Sequence, residues 1–448
     1  MNKVMFLKMV VVSVLTGAIL IALAAVSGVL ASRESYRDDA IKSIAESYSG
    51  QQKIVGPILV MPYTETVEDV SLGDKGGPKV TQHKREGNLI VFPETLTVHG
   101  VLQPSERRHG LYKVTVYELE SHIEGSIDVP APEARKKAVY GTPYLAIGLA
   151  DVRGIVGSPA MRINGAQVEI EGTTRQETLS WKPNLRATLP AQIASGKSTL
   201  QFALDLTLAG TEQLSIAPVA TSNHFELSSS WRSPLFAGRF LPRTRELTKD
   251  GFHAVWEISS LAAATQSQIT DTSAANTVDT IDVSLLNPID PYKLSDRAVK
   301  YGVLFVLLTF GGFFLFEIVK RMPIHPIQYL LVGFGLALFF LLLISLSEHL
   351  PFASAYVIAS VACIGLLTYY LCFVLHSVRY GASFGLMLTL LYAAIYGLLI
   401  SEDNALMLGS MLLFLLLGGI MISTRKVDWY KGNTEPVSSP AASKDLSS

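Results

Sequence analysis

Glu348 and His349 stand side by side in "LISLSEHLPF" (343–352), and His325 lies earlier in "RMPIHPIQY" (321–329). Glutamate and histidine are common partners in acid–base catalysis and among metal ligands. The run between them is apolar and reads as one helix. At 1.5 Å per residue it separates His325 from Glu348 by roughly 35 Å. The apparent site therefore divides into two helix-end flanks. His325–Pro326 opens the helix, with proline tolerated in the first turn. Glu348 and His349 end it and remain candidates for a contact with a neighbouring domain.

Other chemical patterns lack the context their chemistry needs. Gly381-Ala382-Ser383-Phe384-Gly385 matches G-x-S-x-G, but a nucleophile elbow needs a strand before it and a helix after it. Here it opens an apolar run, which predicts a helix start built from small residues. Ser423-Thr424-Arg425-Lys426 matches S-x-x-K, yet no K-T-G accompanies it. The Arg and Lys read as a basic flank. H-E-x-x-H, a P-loop and a strand-borne G-x-G-x-x-G are absent from the sequence. Six of the nine histidines (His83, His99, His109, His122, His224 and His253) are scattered between residues 83 and 253 without metal-ligand spacing. They read as surface or hydrogen-bonded side chains, and a zinc site assembled across distant strands stays open. No catalytic residue, cofactor or metal is expected.

The elements that carry these residues follow from composition. The 448 residues are 49% hydrophobic and 17% charged, too apolar for one soluble domain and too charged for a chain lying wholly in lipid. Residues 31–298 hold 27 of the 37 Lys+Arg and 31 of the 38 Asp+Glu, a net charge of −4. That split predicts a water-soluble domain attached to a membrane bundle. With no basic excess, nucleic acid is not an expected partner. Both cysteines, Cys363 and Cys372, fall in an apolar run, so the soluble part needs neither disulfides nor a Cys-based metal site.

A membrane span takes about 20 apolar residues. Residues 9–31 carry no charge, and further apolar runs cover about 301–319, 327–346, 352–375, 383–400 and 405–423. Six transmembrane helices are predicted: one after a short cytoplasmic segment (1–8), and five in a bundle over 300–424. Lys3, Lys8 and "ALA" (22–24) resemble a secretion signal. The 23-residue run exceeds a usual signal core, so an uncleaved anchor is expected. Lys320 and Arg321, Arg379, and Arg425, Lys426 and Lys431 follow alternate spans, whereas the opposite loops carry Glu348 and Glu402–Asp403. The positive-inside rule then puts both termini in the cytoplasm and residues 32–299 across the membrane. Arg33, Arg37, Arg297 and Lys300 flank that domain on the outer side, in discord with the rule.

Within 33–49, Tyr36, Ala40, Ile41, Ile44 and Tyr48 recur at helical spacing and predict an amphipathic helix continuing the first span. Beyond Gly50, β-branched and aromatic runs at 53–63, 88–100, 111–129, 143–152, 200–210 and 280–287 read as strands. Asn164-Gly165 and Asp250-Gly251 supply the positive φ of two-residue hairpin turns. The domain is expected to be all-β, one or two antiparallel sandwiches inserted between helices 1 and 2. Residues 264–277 read as an exposed loop, and the tail over 425–448 as disordered. The glycines of the spans (Gly311, Gly312, Gly333, Gly335, Gly365, Gly397, Gly409, Gly418 and Gly419) are expected to let helices approach closely.

Several stretches together resemble the CreD family of bacterial inner-membrane, cell-envelope integrity proteins. They are "SGQQKIVGPILVMP" (49–62), "GLADVRGI" (148–155), "FLPRTRELTKDGFHAVW" (240–256), "LSDRAVKYGVLFVLLTFGGFFLFE" (294–317), "HPIQYLLVGFGLALFFLLLISLSEH" (325–349) and "VDWY" (427–430). The resemblance implies an inner-membrane protein of a two-component envelope-stress regulon, linked to colicin tolerance and β-lactam response, with no established catalytic residues. "GPILVMPY" and "DVRGI" are candidates for special turns or contacts, with structural turns that need Gly and Pro the favoured reading. The expected function is non-enzymatic: the β domain, on the periplasmic side, contacts a protein, lipid or cell-wall partner. The alternatives are a transporter or lipid and cell-wall-precursor handling protein, and an envelope-directed hydrolase. Mid-span ionisable residues, which ion-coupled pumps use, are missing from the sequence.

Overall fold

A computed structural model describes residues 3–72, 78–130, 138–173, 181, 183–190, 198–271, 278–285, 291–320, 325–375, 377–401 and 404–424. The chain divides into a helical unit (1–36 with 289–448) and a β unit (37–288). Helix α1 (Lys3–Ser47) belongs to both, the division falling after Tyr36. Arg321, Glu402, Asp403, Arg425, Lys426, Lys431 and the tail lie outside the described residues.

In the helical unit, apolar runs become α4 (Gly302–Lys320), α5 (Pro326–Ser347), α6 (Phe352–Val374), α7 (Val378–Ile400) and α8 (Ala405–Thr424), preceded by α3 (Pro291–Lys300). Among the described residues, four helices are long and apolar enough to cross a membrane: α1, α5, α6 and α7. A fifth span results if α3 and α4, bent by 41°, count as one. In α8 the apolar stretch is Met407–Gly419. Helix packing uses part of the glycine set. A Cβ on Gly333 would stand 2.5 Å from Ile19 of α1, and one on Gly312 would stand 2.8 Å from Met387 of α7. One on Gly335 would meet Leu367 of α6 at 3.0 Å. Gly311, Gly365, Gly397, Gly418 and Gly419 face nothing within 4 Å, so the close-approach expectation fails there. Aromatic rings occupy the interior: Phe305 and Phe339 stack edge-to-face on buried Tyr392 at 4.6 and 4.8 Å.

The β unit consists of two sheets around one core. In the first, the order is β14 (Leu235–Gly238), β17 (Ile281–Ser284), β12 (Gln213–Ile216), β1 (Gln52–Leu72), β6 (Tyr144–Leu149), β10 (Leu185–Thr188) and β9 (Ile170–Gly172). The strands β2 (Pro78–Val91) and β5 (Ala138–Tyr140) also pair with β1. The second orders β15 (Thr244–Thr248), β16 (Gly251–Ser259), β13 (Ser222–Ser229), β3 (Thr95–His109), β4 (Tyr112–Val129), β11 (Ser198–Thr211), β7 (Ile155–Ile163) and β8 (Ala166–Val168). Ile58, Leu145 and Ile147 from the first sheet join Val98, Ile123, Leu204, Phe225 and Leu227 from the second in a single apolar cluster. Alternation explains which side faces in: in β13, Asn223, Phe225, Leu227 and Ser229 are buried while His224, Glu226 and Ser228 are not.

Four expectations need correction. The sheets are mixed rather than antiparallel, because β1 pairs with β12 and β13 with β3 in parallel. Residues 88–100 form the end of β2 and the start of β3, parted at Phe92–Glu94, where proline has no N–H to give a ladder. Residues 264–277 are not all exposed loop, since Thr265–Thr270 form helix α2 with Thr265 and Ile269 buried. Asn164-Gly165 is the expected β7–β8 turn, with φ of 49° and 82°. At the second hairpin, however, Thr248 pairs with Gly251 and the turn is Lys249-Asp250. Gly251 begins β16 at φ 142°, where a Cβ would overlap the carbonyl oxygen of Ser229.

That overlap is testable against Gly157, which has φ 72° but open space around it. Gly157→Ala carries backbone strain alone, of about 1–3 kcal/mol. Gly251→Ala adds a steric clash and should lower the denaturation midpoint of the β unit further. Tryptophan fluorescence in urea measures both, and equal losses would contradict the close-approach role.

Candidate functional site

Three polar constellations stand out. The first closes the C-terminal end of α1. A helix leaves its last carbonyls unpaired, and Arg153 answers two of them: Nη1 donates to Glu46 O at 2.6 Å and Nη2 to Ala45 O at 3.3 Å. Its guanidinium also forks onto Asp151, Nε to Oδ1 at 2.9 Å and Nη2 to Oδ2 at 2.6 Å. Asp151 Oδ2 accepts from Gly50 N at 3.1 Å. Gln52, fully buried, donates through Nε2 to Ser49 Oγ, Asp151 O and Ala209 O at 2.7, 2.8 and 3.0 Å. Gly154 sits where a Cβ would meet Ser49 and Gln52. The stretches "SGQQ" and "DVRG", about 100 residues apart, thus form one latch. "GPILVMPY" begins with the bulge of β1 between Val55 and Ile58, at Gly56 with φ 103°. Both are structural devices, as expected.

The second constellation lies in the helical unit. Glu348 follows α5, and its carboxylate, 9% exposed, stands 3.4 Å from Arg33 Nε of α1. The pair lacks hydrogen-bond alignment, leaving Oε1 buried without a donor. His349 is exposed. His325 caps the other end of α5, its Nδ1 accepting from Ile327 N while Gln328 accepts from His325 N. The two flanks are therefore separate. Ser383 donates to Tyr380 O within α7, and Gly381 and Gly385 face Cys372 and Thr368 of α6. The G-x-S-x-G match is helix packing.

The third constellation is a row that the scattered histidines did not suggest. Across β13, β3, β4 and β11, Glu226, His99, His122 and Asp205 stand directly opposite one another. His99 Nδ1 is 2.9 Å from Glu226 Oε2, and His122 Nδ1 is 2.6 Å from Asp205 Oδ1. His253 on β16 donates through Nε2 to Glu226 Oε1 at 2.8 Å, and His224 packs against His99 with centroids 6.3 Å apart. Glu124 lies 3.6 Å from His122 Nε2, and Arg162 lies 3.5 Å from Asp205. The hydrogen bond from His253 is the main influence holding the Glu226 carboxyl below its ordinary range. Among the described residues no group of three or more His, Cys, Asp or Glu has metal-binding geometry. The only sequence signal was the i, i+2 spacing in His122/Glu124 and His224/Glu226.

Comparison with known proteins decides the family. The profile described as "Inner membrane protein CreD" matches residues 4–430. The chain is 35% identical over 419 residues to the Inner membrane protein CreD of Escherichia coli (strain K12), covering 92% of this chain and 91% of that protein. The chain belongs to the CreD family. Its members are named as inner membrane proteins, which agrees with the apolar helices. Among solved structures, a two-domain M1 zinc metallopeptidase mutant bound to L-arginine matches at 12% identity and TM-score 0.22. An M1 zinc metallopeptidase from Deinococcus radiodurans matches at 10% and 0.20. Each covers 43% of this chain and 42% of its own, a likeness too loose to carry an argument.

Two predictions follow from the latch and the ion pair. Arg153 is the main cause that holds the Asp151 carboxyl down to about 2. A depressed carboxyl stabilises above its unfolded value of about 3.9 and loses that contribution as pH falls through about 2. The melting temperature of Asp151→Asn should therefore fall less than that of the native chain between pH 4 and pH 2. Arg33→Gln leaves the Glu348 carboxylate buried and unpaired. Discounted for the exposure of Arg33, this should cost about 1–3 kcal/mol. Glu348→Gln, which leaves a cation able to reach water, should cost less, and the double variant no more than Arg33→Gln. Thermal unfolding in detergent gives all three, and a double variant as costly as the two single variants added together would contradict the pairing.

Proposed function

We propose that the chain is a non-enzymatic inner-membrane protein that supports cell-envelope integrity and the envelope-stress response through a β unit on the periplasmic side. Membership of the CreD family supports the envelope setting. The observation that carries the binding role is the row on β13, β3, β4 and β11. Its polar side chains are prearranged on an outer sheet face, as recognition requires. Its partners are the lipid bilayer and a protein of the periplasm or inner membrane. The transport alternative has to contend with aromatic rings at the centre of the helical unit.

In the proposed topology there are six spans and both termini are cytoplasmic. Two contacts support the helix directions. Ile19 meets Gly333, and Arg33 meets Glu348. The contacts are 14 residues apart on α1 and 15 on α5, so the two helices run parallel for about 21 Å. Residues 33 and 348 then share one membrane side. Two of the outer cations have carboxylate neighbours: Arg33 stands beside Glu348, and Lys300 Nζ is 2.5 Å from Asp296.

Single cysteines in a cysteine-free background test this. Leu261→Cys, at a side chain 98% exposed, should react with a membrane-impermeant maleimide in intact spheroplasts. Val378→Cys, 74% exposed at the start of α7, should react only after permeabilisation. The reverse pattern would overturn the orientation. Photo-crosslinkers on the row should capture an envelope partner in cells, and capture of solely cytoplasmic proteins would overturn the function.

A further inference from the structure

The chain enters and leaves the β unit at one end. Thr211, the last residue of β11, donates from its N–H to Gly50 O at 3.1 Å, where the chain arrives from α1. Leu285, after which the chain runs on to α3, donates to Glu212 O at 2.8 Å. Glu212 N in turn donates to Thr115 O of β4 at 3.1 Å. The β3–β4 hairpin projects past this same end. β11 pairs with β4 only as far as Val116, and β13 pairs with β3 only as far as Leu102. β3 and β4 stay paired with each other up to His109 and Tyr112. Among the described residues no further strand pairs with 103–109 or 112–115. At about 3.4 Å per residue, Leu111 stands about 17 Å beyond the last pair with β11.

The base of the hairpin is braced, and its tip is not. Val114 and Val116 are buried with Ile44 of α1, and Ile41 and Tyr48 pack against them. The Arg107 guanidinium lies 5.5 Å from the Tyr48 ring centroid, and Lys113 Nζ is 3.3 Å from Glu106. Beyond these contacts the chain turns at Gly110, with φ 60°. Turn positions favour Gly, Pro, Asn, Asp and Ser, yet the residue after Gly110 is Leu111, 58% exposed. Arg107, Arg108 and Lys113 against Glu106 give the tip a charge of +2 with His109 neutral. Acidic groups gather at the base instead. Glu118 lies beside Tyr48, Arg37 and Asp38 act on Glu212, and residues 37–47 of α1 sum to −1. Thr115, bonded to Glu212, is already about 13 Å from Leu111. That exceeds the screening length of about 8 Å at physiological salt, so the tip keeps its positive field.

We propose that the tip of the β3–β4 hairpin, residues 107–113, docks on the anionic headgroup surface of the bilayer, with Leu111 entering it. Basic side chains are drawn to anionic headgroups, aromatic rings settle at headgroup level and apolar side chains enter the acyl boundary. Arg108, Tyr112 and Leu111 supply one of each. Charge complementarity and the exposed leucine set the partner class. Reach follows from the chain: the apolar run of α1 ends at Ala31, six residues before Arg37, and six residues span at most about 22 Å. The inference rests on the helical unit lying in a membrane. It needs neither the proposed orientation nor the envelope role, so their tests fail independently of its own.

The test uses the full chain in nanodiscs of phosphatidylglycerol and phosphatidylcholine in equal parts, with a spin label at headgroup level on some of the lipid. Leu111→Cys in the cysteine-free background carries an apolar, environment-sensitive fluorophore in place of the leucine. Leu261→Cys is the reference. It is 98% exposed and follows β16 at the far end of the second sheet, where Ser259 pairs with Ser222 and Ser222 with Thr95. The spin label should quench the fluorophore at position 111 and leave the one at 261 bright. Quenching at 111 should weaken in about 0.5 M NaCl and in nanodiscs of phosphatidylcholine alone. Arg108→Glu leaves the Tyr48 and Glu106 contacts of the hairpin in place. It should lower the ratio of quenched to unquenched lifetime components at least about tenfold. Arg108→Gln should lower it less, and it supplies the readout if Arg108→Glu does not fold. No quenching at 111 in the chain with native charges would overturn the proposal. So would equal quenching at 111 and 261, or undiminished quenching in the folded Arg108 variants.

Discussion

The β unit depends on where β1 begins, and Gln52 fixes that point. A helix that ends against a sheet must satisfy its last carbonyls and turn the chain within a few residues. Gln52 lies five residues beyond the end of α1. Its amide reaches Ser49 beside it, Asp151 beyond β6 and Ala209 on β11 of the second sheet. A one-residue slip in β1 would move this buried amide to the opposite face and strand its partners without bonds. Because β1 pairs with β2, β5, β6 and β12, its register passes to most of the first sheet. The Asp151–Arg153 fork adds charge-assisted bonds to the same point and meets the negative end of the α1 dipole.

Apolar runs and alternation made the elements legible in the sequence, because both are local properties. The helices α5, α6 and α7, the strands β4 and β11, the start of β1 and the Asn164-Gly165 turn all follow from them, whereas α7 begins five residues earlier than the apolar run and β1 continues to Leu72. What alternation cannot specify is the neighbour of each strand. His99, His122, Asp205 and Glu226 come from positions as much as 127 residues apart, and only cross-strand register sets them in line. Each histidine looks unremarkable in its own window. Arg153 is similar: its partners are carbonyls on α1, which no side-chain pattern encodes. The Asp250-Gly251 dipeptide misleads for a different reason. Glycine serves a turn and a close backbone approach equally well, and here the carbonyl oxygen of Ser229 requires the second.

Charge placement links the helical unit to the same lesson. Counting Arg33 as a free cation sets it against the positive-inside pattern, yet it stands beside a carboxylate that has little water of its own. Arg33 on α1 and Glu348 after α5 stand 315 positions apart in the chain, so no local pattern reveals the pair. Glu348 in turn sits where the α5 dipole is negative, a position that disfavours a carboxylate. Arg33 is the nearby charge that compensates it.

The latch and the row use similar residues to different ends, and exposure separates them. Around Gln52, the side chains of Ser49 and Gln52 are buried and bonded within the fold, so that part of the network specifies structure. On β3, β4 and β16, His99, His122 and His253 stand beside carboxylates and remain about half exposed. Surface ion pairs of this kind contribute little to stability, so a stabilising role is a weak reason for four of them to gather on one face. Fixed geometry and accessible imidazoles together favour recognition over support.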